Sequence, residues 1–292
     1  MADVIAAPKA ETPLVLEGAA EYFAEFDFSR VDDSLESLLK AGVHFGHLKS
    51  RRHPHMEEYI FTTRKNINIL NLEKTKACLD RAADFLAGVA KSGKPVLFVG
   101  VKKQTHDAVK SLAKRIGMPY VIDRWLGGTL TNYAQIRGRA KYLVENEASF
   151  AAGEFKKYTK FEQQRKSEEL EKLEHKVGGL RNMQELPGAI VIADAKEAGL
   201  VIKEATRLGV PLVAIVDTNA DPSSIDYPVP GNDDALSSLR LLLGLLGRAV
   251  ERGVGQKAAL AAEKAAERAA EKATEKAVSA PVKPETAVKQ PA

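Results

Sequence analysis

Short runs that are apolar at every position constrain the fold of this chain more than any other feature of its sequence. They cover residues 95–100, 119–122, 188–193 and 211–216. A strand with one face in solvent alternates apolar and polar side chains, whereas a strand covered on both faces stays apolar throughout. Segments of helical spacing lie at 104–116 and 197–208, and each is followed by a glycine. This alternation predicts an α/β fold in which a parallel sheet carries helices on both faces.

Two long, highly charged segments interrupt this rhythm, at 129–147 and 154–177, with no strand between them. The second has few apolar anchors, including Phe155, Phe161 and Leu170, so most of its surface must face solvent. Two such helices in succession predict an antiparallel hairpin, inserted at about 129–178 and projecting from the body.

Charge divides the chain into three expected parts. Residues 1–33 are an acidic N-terminal extension with a net charge of −6, and residues 34–252 are a body with a net charge of +8. We expect the extension to be flexible, although its aromatic residues also allow docking on a basic neighbour. Residues 253–292 are an alanine- and charge-rich tail, expected to be partly helical or disordered because it lacks an apolar stripe.

The sequence also bears on location. No run of about 18 apolar residues is present, and the N-terminus lacks the basic-then-apolar order of a secretory signal. The single cysteine, Cys78, cannot form a disulfide within the chain. We therefore expect a cytoplasmic protein without a membrane partner.

Six short strings carry more specific information. They are AGVHFGH at 41–47, YIFT at 59–62, VGVKKQ at 99–104, RWLGGTLTN at 124–132, AIVDTN at 214–219 and PGNDD at 230–234. In content and order they resemble the successive signatures of the bacterial family of small-subunit ribosomal protein two. The resemblance covers about 34–252. One string would be weak evidence, but six in order are hard to obtain by chance.

The resemblance implies a flavodoxin-like α/β body with the inserted helical hairpin, no enzymatic activity, no cofactor and no small-molecule substrate. It implies a structural role in the small subunit, where head meets body, with contacts to ribosomal RNA and to neighbouring ribosomal proteins. One such neighbour is small-subunit protein one, whose attachment the family supports. The segment 52–55, Arg-His-Pro-His, departs from the usual aromatic, asparagine, proline and lysine, so we expect a local RNA or packing contact to differ there. The resemblance says nothing about either terminal part.

Basic clusters supply the candidate RNA-binding residues. Phosphate contacts release counterions and give salt-sensitive affinity without reading bases. The alternative for any single lysine is that it only solvates a helix face. The candidates are Lys49, Arg51, Arg52, Arg64, Lys65, Lys102, Lys103, Arg124, Asn132, Arg137, Arg139, Lys141, Lys156, Lys157, Lys160, Arg165 and Lys166.

Four histidines, His44, His47, His53 and His55, fall within twelve residues. Zinc needs three or four converging ligands, often including thiolate, and no cysteine lies nearby. We expect packing, capping or phosphate contact and assign no metal site, but the sequence leaves metal binding by this cluster open.

Gly127-Gly128-Thr129 can offer backbone amides to a phosphate. The string lacks both the P-loop and the dinucleotide-binding glycine spacing. The simpler interpretation is a tight turn, with Trp125 in the core or an interface and Thr129 or Thr131 capping the next helix.

Five aspartates crowd the region after the run at 211–216, namely Asp217, Asp221, Asp226, Asp233 and Asp234. Such acids can hold magnesium, but they also form turns. Asn232 or Asp233 is a candidate N-cap for a helix over 235–252.

We therefore predict a structural RNA-binding protein without catalytic residues. One alternative is an α/β enzyme that uses a magnesium-bound phosphate substrate near Gly127, Gly128 and Asp217. The other is an adaptor whose terminal parts recruit proteins without RNA.

Overall fold

The structure, a computed structural model, describes residues 32–153, 155 and 159–278. Most of the predicted N-terminal extension, the candidates Lys156 and Lys157, and residues 279–292 lie outside this description. The strands are β1 (Phe45–Leu48), β2 (Ile60–Arg64), β3 (Ile67–Leu70), β4 (Val96–Gly100), β5 (Tyr120–Ile122), β6 (Ala189–Ile192), β7 (Leu212–Val216) and β8 (Tyr227–Pro230). The helices are α1 (Leu35–Lys40), α2 (Leu72–Ser92), α3 (Lys103–Ile116), α4 (Tyr133–Ala151), α5 (Lys160–Val177), α6 (Gly199–Leu208) and α7 (Leu236–Val278).

Five strands form a parallel sheet in the order β5-β4-β6-β7-β8. Numbered along the chain within this sheet, the order is 2-1-3-4-5, which is that of flavodoxin-like folds. The predicted fold class is confirmed. The edge strand β8 was not predicted, because Pro228 and Pro230 cannot donate ladder hydrogen bonds and hide the strand pattern.

The continuous apolar character of the strands follows from burial on both faces. In β4, Val96 and Phe98 belong to one core cluster, and Leu97 and Val99 belong to the other. Helices α2, α3 and α7 cover the first face, and α4, α5 and α6 contribute to the second. The result is a three-layer body in which helices bury both faces of the sheet.

Glycines end the predicted helices as expected. Gly117 follows α3 with φ 75° and Gly209 follows α6 with φ 68°, in the left-handed conformation that glycine adopts without steric cost.

A second, antiparallel sheet has the order β1-β3-β2 and lies at the N-terminal end of the described chain. This sheet was not predicted, because its strands are only four or five residues long and partly exposed. Lys65 and Asn66 form the turn between β2 and β3, with φ values of 49° and 64°. Positive φ at both central residues suits a tight hairpin turn.

The helical insertion is present as two successive helices, α4 and α5, which contact each other. Thr159 and Glu162 form a capping box that starts α5. Ile136 and Leu143 of α4 are buried in the core, so the first part of α4 packs on the body. The antiparallel, projecting hairpin stays a prediction.

The predicted capping by Thr129 or Thr131 is wrong. Helix α4 begins only at Tyr133, and its N-cap, Asn132, makes no side-chain capping bond. The hydroxyl of Thr129 instead donates to the carbonyl of Leu126.

Helix α7 runs without a break from Leu236 to Val278, past the end that we predicted at 252. The side-chain oxygen of Asn232 accepts from the amides of Asp234 and Ala235, so it shapes the turn that leads into the helix. The division between body and tail at residue 253 stays a prediction. Among the residues that the structure describes, none of the helices combines the length and apolar character that crossing a bilayer requires.

Candidate nucleic-acid interface

Two basic clusters that are separate in sequence meet at one end of the small sheet. The amide of Lys49 donates to the carbonyl of Asn66 at 2.9 Å, which places the segment after β1 beside the β2–β3 turn. Lys49, Arg51, Arg64 and Lys65 are all exposed there. We call these four residues the strand-end patch. Because a backbone hydrogen bond joins the segment after β1 to the β2–β3 turn, the fold fixes the backbone spacing of these cations.

The other members of the first cluster differ in their surroundings. Arg52 is half-buried and pairs with Glu57 at 3.2 Å, so part of its charge is already compensated. His53 and His55 lie close to each other, with ring centroids 5.2 Å apart. Both approach Asp221, at 3.9 Å and 3.1 Å from its carboxylate. The segment that departs from the family pattern is therefore attached to the loop after β7.

The basic residues of α4 do not form a single face. Arg137, Arg139 and Lys141 are all exposed. At 100° per residue, positions 137 and 141 share one side of the helix, whereas 139 points elsewhere. Lys141 also pairs with Glu145 at 3.5 Å, one helical turn later. The exposed Arg124 and Asn132 lie before this helix.

In α5, two predicted cations contact aromatic rings. The guanidinium of Arg165 lies 5.9 Å from the ring centre of Phe161, and the ammonium of Lys166 lies 4.8 Å from that of Phe155. Such contacts hold the stems of long side chains while the charge stays near the surface. Lys160, at the start of the helix, is exposed.

Lys102 and Lys103 are adjacent in sequence but have different environments. Lys103 is exposed, whereas Lys102 is half-buried and binds the carboxylates of Asp233, at 3.0 Å, and Asp234. Burial would lower the pKa of Lys102, but its hydrogen bonds to Asp234 and Asp233 and their charges raise it. Sequence reasoning missed this pairing, because the partners lie 131 and 132 residues away. Lys102 is therefore the least available of the candidates that the structure describes.

The acidic cluster at the carboxyl edge of the sheet joins several elements. His47 lies 2.9 Å from Asp217 and 3.4 Å from Asp234, and Asp217 and Asp233 are buried. The hydrogen bond to Asp217 raises the pKa of His47 above its ordinary value. Burial and the neighbouring carboxylates raise the pKa of Asp233 to about 7. The cluster connects β1 with the ends of β7 and the start of α7.

Among the residues that the structure describes, two groups of side chains have the proximity that metal binding requires. In one, ligand atoms of His47, Asp217, Asp233 and Asp234 lie within 4.8 Å of one another, and in the other those of His53, His55 and Asp221 do so. The first group already holds the ammonium of Lys102, which occupies two of its carboxylates. We therefore interpret it as an internal ionic brace.

The structure separates the four histidines and the five aspartates that the sequence placed together. The ring of His44 packs on that of Phe45, with centroids 4.0 Å apart, away from the other three. Asp226 accepts from the amide of Leu212. Hydrogen bonds from Ser223 and His55 lower the pKa of Asp221 to about 2. Neither set forms one site.

The glycine loop before α4 contains a carboxylate of the protein itself. Glu204 of α6 accepts from the amides of Gly128, Leu130 and Thr131, at 2.8, 3.1 and 3.3 Å, and from the indole nitrogen of Trp125 at 3.2 Å. Burial opposes ionisation of Glu204, but these hydrogen bonds outweigh it and lower its pKa. The backbone amides that a phosphate would need are already bound. This removes the main support for the alternative of a phosphate-binding enzyme.

A model of the family described as Ribosomal protein S2 matches residues 38–253. The chain belongs to the ribosomal protein S2 family. Similar proteins, each named small ribosomal subunit protein uS2, include one from Salinibacter ruber, 46% identical over 77% of this chain and 70% of the relative. Another, from Roseiflexus castenholzii, is 45% identical over 78% of this chain and 87% of the relative. A third, from Porphyromonas gingivalis, is 43% identical over 77% and 80%.

Membership confirms the resemblance carried by the six strings. It also confirms the predicted class, a structural protein of the small ribosomal subunit rather than an enzyme, and the location in cytoplasmic ribosomes that this class implies.

Proposed function

We propose that this chain takes its place in the small subunit by binding ribosomal RNA through phosphate contacts. The observation that supports this proposal best is the strand-end patch, in which four exposed cations come from the β2–β3 turn region and from the segment hydrogen-bonded beside it. Structured RNA is held largely by shape, sugar and phosphate, so a rigid cationic patch suits it. The carboxylate in the glycine loop argues against a second phosphate-binding role there.

The other exposed candidates extend this proposed interface. They come from the start of α3, the loop before α4, and the two helices of the insertion. They are Lys103, Arg124, Asn132, Arg137, Arg139, Lys141, Lys160 and Arg165, with the half-buried Arg52 and Lys166 contributing less.

We further propose that neighbouring ribosomal proteins, including protein one, contact the body 34–252 and its helical hairpin. The family resemblance supports this proposal. Particles assembled without this chain are expected to bind less protein one, as measured by co-sedimentation. Normal amounts of protein one on such particles would contradict this part of the proposal.

The test of RNA binding is charge reversal of the strand-end patch. The variant replaces all four cations by glutamate, and a matched control reverses four exposed lysines elsewhere, Lys91, Lys110, Lys114 and Lys203. Each phosphate contact contributes about 0.9 to the slope of log affinity against log salt concentration. If the four cations each bind one phosphate, the patch variant should have a slope shallower by about 3 to 4.

The expected result is a loss of affinity for small-subunit RNA that is much larger in the patch variant than in the control. Both variants should stay folded, with a free energy of unfolding in urea within about 2 kcal/mol of the wild type, because each of the four surface substitutions usually changes stability by about 0.5 kcal/mol or less. Equal losses in the two variants would indicate only general electrostatic attraction, and an unchanged slope in the patch variant would contradict the proposal.

A further inference from the structure

An apolar groove lies between α1 and the small antiparallel sheet. It encloses about 470 Å³ and is lined mainly by Leu35, Leu39, His44, Phe61, Ile69 and Leu72. Phe61 is 73% exposed, Leu39 55% and Leu35 43%. Large apolar side chains exposed together, rather than singly, mark a surface that binds something.

The sequence just before α1 contains apolar residues at matching helical spacing. Ala19, Tyr22, Phe23 and Phe26 stand at i, i+3, i+4 and i+7, which is one face of a helix. Glu17, Glu21 and Glu25 recur every four residues, on the opposite face. An amphipathic segment of this kind needs an apolar surface to cover its aromatic face.

We propose that residues 19–28 of this chain occupy the apolar groove, with Tyr22, Phe23 and Phe26 against Leu39 and Phe61. The segment is intramolecular and acts as the groove's own cover, a role that the ribosomal function does not require.

The attachment point supports this occupant. Asp32 accepts from the hydroxyls of Ser34 and Ser37, and Asp33 pairs with Lys76, which fixes the chain at the start of α1. Phe28 and Ser34 are six positions apart, with five residues between them, and six steps of 3.3–3.6 Å reach about 20 Å. Helix α1 has six residues and is therefore only about 9 Å long, so the tether reaches all of it.

The tether also favours this occupant over a separate partner. A short linker gives an effective concentration in the millimolar range, so even weak apolar packing fills the groove.

Charge is compatible with one orientation of the segment. Glu36 and Glu73 lie in the wall of the groove, and Glu36 pairs with Lys40 at 3.7 Å. These carboxylates would repel the acidic stripe of the segment if it faced inward. The aromatic face must therefore point into the groove and the glutamates toward solvent.

Hydrogen exchange of the full chain, followed by mass spectrometry, tests the proposal. Amides of residues 19–28 should exchange at least about tenfold more slowly than in an unstructured chain. Phe61→Glu should abolish this protection. Phe161→Glu is the matched control, because Phe161 is 69% exposed on α5 and lies outside the groove. The control should keep the protection, and both variants should keep the protection of β4 and β7.

Four results would overturn the proposal. One is exchange of residues 19–28 at the unstructured rate in the wild type, and another is protection that survives Phe61→Glu. The third is protection that appears only as protein concentration rises, which would assign the groove to the segment of a second copy. The fourth is capture of another ribosomal protein by a crosslinker at position 61 in assembled particles, together with free exchange of residues 19–28. That result would assign the groove to the captured protein.

Discussion

The buried carboxylate of Glu204 offers a quantitative test of how the glycine loop is held. Glu204→Ala removes the acceptor for three backbone amides and one indole nitrogen. Trp125 and Leu130 are 5% and 2% exposed, so water cannot readily replace the lost acceptor at these two donors. Each buried donor left without a partner costs about 1–3 kcal/mol, which gives a total of about 2–6 kcal/mol.

Urea unfolding measures this loss directly. Trp125 is the only tryptophan in the chain, so its fluorescence reports on the loop itself. The stability of Glu204→Gln should fall between those of the wild type and Glu204→Ala. The glutamine amide keeps one acceptor oxygen, but its NH2 group is a donor and cannot accept from the remaining N–H groups of the loop. Glu197→Ala is the control, since Glu197 is exposed just before α6.

The pH dependence gives an independent check. Because the folded-state pKa of Glu204 is lowered, its contribution to stability is present above the unfolded pKa, near 4.5, and is lost as pH falls through the folded value. Glu204→Gln should lack this part of the acid loss. A free energy of unfolding for Glu204→Ala within about 0.5 kcal/mol of the wild type would refute the reasoning.

Three further outcomes follow from the same structure. Lys102→Met leaves the buried carboxylate of Asp233 without its cation and should cost about 3–5 kcal/mol in urea unfolding. Lys103→Met should be nearly neutral, and equal effects of the two substitutions would contradict the ionic brace. The pKa of His47 is raised, so the stabilisation that its charged form provides is complete below the ordinary value of 6.5 and is lost as pH rises through the folded-state pKa. His47→Gln should remove this loss, and an unchanged pH profile of the melting temperature in that variant would contradict the expectation. A Cβ at Gly179 would lie 2.1 Å from a backbone carbonyl oxygen, whereas a Cβ at Gly138 has open space in α4. Gly179→Ala should therefore destabilise the protein, and Gly138→Ala should stabilise it by about 0.5–1 kcal/mol. Melting temperatures that move in the same direction in the two variants would contradict this.

The sequence predicted those parts of the fold that depend on local pattern. Val96–Gly100 and Leu212–Val216 are apolar because both of their faces are buried, and this burial is visible as an uninterrupted run. Gly117 and Gly209 marked helix ends, because the left-handed conformation there is costly for other residues. Short strands with exposed faces, such as Ile60–Arg64, carry no such signal.

The site was less predictable, because its contacts join distant parts of the chain. The sequence identified the cations of the strand-end patch, but only the β2–β3 turn brings Lys49 beside Lys65. In the sequence, Lys102 and Lys103 form a basic pair with no acidic residue beside it, yet the acidic partners of Lys102 follow more than 130 residues later. Glu204 carries no local mark of its role, since its partners precede it by 73 to 79 residues.

Lysine footprinting of the assembled small subunit, compared with the free protein, tests directly whether the strand-end patch is covered in the particle. Lys49 and Lys65 should be acylated readily in the free protein and become protected in the particle, whereas Lys91 should react similarly in both. If RNA provides the protection, nuclease treatment of the particle should restore reactivity at both positions. Equal reactivity of Lys49 and Lys65 in the two states would contradict the claim that this patch binds ribosomal RNA.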